Sequence, residues 1–135
     1  MAKSIQQIEG IGPKYAEQLK QAGISTTEKL LEVGGNKAGR KMLAEKTMIN
    51  EKLILTWVNM ADLFRINGVA GQFAELLKGS GVDTVKELRN RNAENLSAKM
   101  AEVNEAKHLC KVSPSVITVT KWVEQAKEML PMVTH

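Results

Sequence analysis

A single cysteine, Cys110, in 135 residues leaves nothing for an internal disulfide to pair with. Such a chain fits a reducing compartment. Aromatic residues make up only 4% and prolines number three. With Ala, Leu, Lys, Glu and Met abundant instead, helix is favoured over strand. No run approaches the ~20 apolar residues of a membrane span. The start, "MAKSIQQIEG", lacks the apolar core of a secretory signal. The expected location is therefore the cytoplasm, with no membrane partner.

Catalytic signals are equally scarce. His108, Cys110 and His135 show no metal-ligand spacing. There is no Walker loop, zinc-protease helix motif or serine-nucleophile elbow. Cys110 would act as a nucleophile only beside a base, and no neighbouring residue identifies one. The chain is expected to have no catalytic residue, no metal and no cofactor, and not to be an enzyme.

What the chain does contain is a mild positive charge and an internal repeat. Its formal net charge of +4 suits an anionic partner without requiring one. Its length allows one domain, or two small halves packed intimately. Shifted by 58 positions, Ile8, Gly10, Ile11, Tyr15, Ala16 and Leu19 fall on Ile66, Gly68, Val69, Phe73, Ala74 and Leu77. Gly23, Thr26 and Leu30 fall on Gly81, Thr84 and Leu88 without a gap. Further on, "MLAE" (42–45) aligns with "KMAE" (99–102), and "WVNMA" (57–61) with "WVEQA" (122–126). Three matches in one order point to duplication. The boundaries read as 1–65 and 66–135, with no Gly/Ser/Pro-rich linker between them.

Helical periodicity follows each glycine turn. Pro13 suits a first helical position, and Gly23 a helix stop. Ser25 or Thr26 is the expected cap of a second helix carrying Leu30, Leu31 and Val33. A third helix is expected over about 38–47 and a fourth over about 50–65. The fourth places Leu53, Ile54, Trp57, Ala61 and Phe64 on one stripe. The last helix, about 115–130, carries Val119, Trp122, Val123, Ala126 and Leu130, with Pro114 at its start and Pro131 as its stop. Trp57, Trp122 and the scattered methionines read as core. The fold class is all-α.

The series Ile8, Gly10, Ile11, Gly12 and Ala16 resembles the helix-hairpin-helix motif. Glycines let backbone N–H groups approach a phosphate closely, and the following helix directs its positive end there. The resemblance implies duplicated helix-hairpin-helix repeats packed as one compact helical domain. It also implies a grip on duplex DNA through backbone phosphates, which carries little sequence information. The expected nucleic-acid-binding residues are Gly10, Ile11, Gly12 and Lys14 in the first copy and Gly68, Val69 and Ala70 in the second. Arg40 and Lys41 would extend the phosphate track, because "NKAGRKMLAEK" (36–46) gathers four cations against Glu45.

Ala70 stands where Gly12 stands and Gln72 where Lys14 does, which marks the second turn as weakened on this reading. The segment "LAEKTMINEKLILTWV" (43–58) also resembles a helix-turn-helix, although Met48 occupies its glycine-favouring turn. The alternative function is a protein-interaction or assembly module on the same scaffold. Over most of its length the chain is similar to a bacterial family numbered 4332 among domains of unknown function. The stretches that carry this are "GRKMLAEKTMINEKLILTWVNMADLFRI" (39–66), "GVDTVKELRNRNAENL" (81–96) and "WVEQAKEM" (122–129). Met48 and Ala70 stand where that family usually has glycine.

Overall fold

Pro13 opens the first helix, α1 (Pro13–Gln21), at the position where its missing N–H is harmless and its fixed φ suits the turn. The structure, a computed structural model, describes residues 3–135. Among them are eight α-helices, one 3₁₀ turn at Ile5–Gln7 and no strand. The chain is all-α. It divides into two compact units, one running to Asp62 and including Met132–His135, the other spanning Leu63–Pro131.

In the first unit α1 ends in a Schellman turn. Gly23, at φ +85°, lets the Ile24 amide reach the Leu19 carbonyl at 2.9 Å. Helix α2 (Thr27–Gly34) is capped by Thr26, whose hydroxyl accepts from the Lys29 amide at 3.1 Å. Asn36 caps α3 (Lys37–Thr47) by accepting from the Gly39 amide at 2.7 Å. Helix α4 (Glu51–Leu63) carries the tryptophan stripe, with Ile54, Trp57 and Ala61 buried and Leu53 only half so. The helix-turn-helix likeness of 43–58 thus ends in a helix whose inward face is core rather than a base-reading surface.

The α2–α3 corner is unusually tight. A Cβ on Gly35 would stand 2.5 Å from the Met132 carbonyl oxygen, and one on Gly34 2.6 Å from the Val58 side chain. A Cβ on Gly39 would collide with the Val33 carbonyl. These glycines serve close approach of backbone, not positive φ. Met132–His135 is laced to the corner by the Thr134 amide donating to the Gly35 carbonyl at 2.8 Å.

The second unit comprises α5 (Gly71–Gly79), α6 (Val85–Leu88), α7 (Ala93–Lys107) and α8 (Val116–Lys127). Gly81, at φ +92°, ends α5 as Gly23 ends α1, with the Val82 amide on the Leu77 carbonyl at 2.9 Å. Asn92 caps α7 and Ser115 caps α8, so Pro114 lies just outside the last helix. That helix stops at Lys127 and Leu130 is 81% exposed, unlike the stripe expected from periodicity. Helices α3 and α7 both end in a left-handed residue that is not glycine, Met48 at φ 61° and His108 at φ 53°. Met48 is 87% exposed, and Met42 and Met132 are exposed too, so the methionines are not all core filler.

Candidate nucleic-acid interface

The first glycine turn is built from two short bonds and one left-handed residue. The Ile8 amide donates to the Ile5 carbonyl at 3.0 Å, and the Ile11 amide to the Ile8 carbonyl at 3.2 Å. Gly10 takes φ +95° between them. Gly12 is extended, at φ −84° and ψ −176°, and its carbonyl accepts the first bond of α1 from Ala16 at 2.9 Å. Ile8 and Ile11 are buried, while Gly10, Gly12, Pro13 and Lys14 are exposed. Trp57 forms the floor: its indole nitrogen would lie 3.5 Å from a Cβ on Gly10, and Tyr15 packs edge-on at 5.0 Å. Pro13 has no N–H, and the amides of Gly10, Gly12, Lys14 and Tyr15 meet no acceptor among the described residues. Four donors on exposed residues are therefore left without an acceptor among the described residues, at or just before the positive end of a helix.

The second turn has the same bonds and angles. Ile66 donates to Leu63 at 3.1 Å, Val69 to Ile66 at 3.2 Å, and Ala74 to Ala70 at 2.9 Å. Gly68 takes φ +93° over Trp122, and Phe73 packs against that tryptophan at 5.3 Å. Ala70 lies at φ −102° and ψ −178°. One feature is particular to this turn. The Gln125 side chain brackets Asn67, accepting from its amide at 2.9 Å and donating to its carbonyl at 3.4 Å. Both backbone groups of Asn67, a turn residue, are thereby held by one side chain.

Several sequence expectations are corrected by this geometry. Ala70 does not weaken its turn, because the left-handed residue is the first glycine and the second position is extended in both turns, where alanine is unstrained. Ile11 and Val69 are not phosphate donors: their N–H groups close the turns and their side chains are buried. Arg40 is not part of an exposed track. It is 3% exposed, and its guanidinium donates to the carbonyls of Gly34 at 2.9 Å, Gly35 at 3.0 Å and Thr134 at 2.6 Å. Lys14 and Lys41 are exposed as expected. Glu9, also exposed, sets a negative charge in the first turn where the second has Asn67.

Sequence reading passed over the Gln125 bracket and the close-approach glycines, whose only local signal was the run "GGN" (34–36). Among the described residues no group of three His, Cys, Asp or Glu could hold a metal ion. No described helix is long and apolar enough to cross a membrane. Cys110 is half-buried, with its amide donating to Asn104 at 2.8 Å, and burial pushes its thiol above the ordinary range. Less thiolate means slower chemistry. At neutral pH a disulfide reagent is expected to titrate Cys110 at least about tenfold more slowly in the folded chain than in denaturant. Equal rates would show the thiol to be open and unperturbed.

Fold and turns together define an all-α protein in which each unit presents a glycine turn before a helix. The model of the family described as Domain of unknown function (DUF4332) matches residues 9–129, and the chain belongs to that family. No curated protein matches it, and no solved structure does.

Proposed function

We propose that the chain is a duplicated helix-hairpin-helix protein, non-catalytic and cytoplasmic, that binds duplex DNA through backbone phosphates with little sequence specificity. The observation that carries this reading is the set of unbonded amides of the exposed residues Gly10, Gly12, Lys14 and Tyr15, just before and in the first turn of α1. Such an array is the donor geometry that phosphate oxygens take at helix N-termini. The recurrence of Gly10 and Gly68, Gly23 and Gly81, and Trp57 and Trp122 supports duplication. Because Ala70 is unstrained, both turns are proposed as grips. Lys14 and Lys41 supply charge, and Arg40 is removed from the set.

Affinity for a short fluorescent duplex should fall steeply with added salt. Gly12→Leu should weaken it at least about tenfold, about 1.4 kcal/mol. The variant keeps its fold, because nothing lies within 4 Å of a Cβ at Gly12 and the backbone there is extended. Unchanged affinity in a folded variant excludes the first turn, and salt-insensitive binding excludes the phosphate mechanism. The second reading, a protein-interaction module, is favoured by Val112, Val116 and Ile117, which are 76%, 43% and 70% exposed. Partners that survive nuclease treatment would select it.

A further inference from the structure

A cavity of about 490 Å³ opens in the first unit beside the starts of α3 and α4. Its lining includes Lys37, Arg40, Glu51, Lys52, Leu55 and His135. The volume is that of a small-molecule site. Two features set its ligand chemistry. The first is charge: among the lining side chains Lys37, Arg40 and Lys52 face one acid, Glu51, and among the described residues none of the four makes an ion pair within 4 Å.

The second is Arg40 itself. Its guanidinium is buried, fixed by three carbonyls, and among the described residues has no carboxylate within ion-pair distance, although the charge of Glu51 acts on it. The three bonds use three of its five N–H donors. A buried cation with spare donors is stabilised by an anion brought to it. Leu55 adds an apolar wall.

We infer that this cavity binds a small organic phosphate monoester, its phosphate held by Lys37 and Lys52 beside Arg40 and its organic part against Leu55. The lining's cationic side chains outnumber its one acidic side chain, which suits a phosphate carrying about −1.5 to −2 at neutral pH. The glycine turns take no part in this site, which is independent of the DNA reading.

The test is an amide chemical-shift titration of the full chain with phenyl phosphate, run beside phenol and inorganic phosphate. Saturable shifts are expected at Lys37, Glu51, Lys52 and Leu55, with no saturation by phenol and weaker binding of inorganic phosphate. The double variant Lys37→Gln/Lys52→Gln should bind phenyl phosphate at least about tenfold more weakly while its spectrum stays dispersed. Glu51→Gln should bind it more tightly, and Gly12→Leu should bind it unchanged. The inference is overturned if phenyl phosphate gives no saturable shift up to about 10 mM, if the double variant binds as well as the parent, or if the shifts fall on Gly10–Tyr15 instead.

Discussion

Replacing Arg40 with methionine is expected to destabilise the first unit by about 3–5 kcal/mol, read as a lower urea midpoint. Three carbonyls lose a charged donor at once: Gly34 and Gly35 at the end of α2, and Thr134 in the closing segment. Each bond to a charged group contributes about 1.5–3 kcal/mol net, and carbonyls that recover water reduce the total. The positive end group also complements the negative end of α2, which is lost with it. Arg40→Lys should recover little, since a single ammonium cannot span three carbonyls as a planar fork does. Burial draws the guanidinium down from its ordinary value while the charge of Glu51 opposes this. The group still stays cationic at any working pH, so its effect should not vary between about pH 5 and 9. Were Arg40 a solvated contact for DNA, methionine would change stability by no more than about 0.5 kcal/mol.

Gly39→Ala is expected to cost more than about 3 kcal/mol and to lower soluble yield. By propensity alone the sign should be opposite, because alanine in a helix is favoured over glycine by about 1 kcal/mol. Here the added methyl meets the Val33 carbonyl, which is backbone and cannot rotate away, and also lies 3.2 Å from the Asn36 side chain. The corner must open, and the Asn36 cap on the Gly39 amide opens with it. Circular dichroism and urea unfolding of Gly39→Ala beside Gly12→Ala provide the check. The second substitution enters open space and should stay within about 1 kcal/mol of the parent. A stable Gly39→Ala would mean that the corner is looser than the structure has it.

These two residues also mark where reading the chain stops working. Pro13, Thr26, Gly23 and the tryptophan stripes were legible because each acts through its nearest neighbours or through helical period. Arg40 looked like its neighbour Lys41, yet successive helical residues point about 100° apart, and only tertiary packing turns one inward. Gly39 was invisible for the same reason: the chain that crowds it comes from another helix. Ala70 was misjudged because a Gly-x-Gly pair does not say which glycine is left-handed. Of Met48 and Ala70, only Met48 occupies that conformation. The cavity draws on α3, α4 and the chain's last residues, so no sequence window contains it.

The bond from Thr134 to Gly35 joins residues 99 apart. Everything from Leu63 to Pro131 is the second unit, so the first unit is discontinuous in the chain. Loop closure of that length carries an entropy cost that rises only slowly with further residues, but the contact cannot exist until both ends have been made. In synthesis Met132–His135 follows directly on the last residue of the second unit, so the first unit's last part is made after all of the second. Until that segment is made, the Gly35 carbonyl lacks its Thr134 donor and Arg40 lacks one of its three acceptors, while its bonds to Gly34 and Gly35 are local. Connectivity alone makes the unit that begins first the one whose residues are completed last.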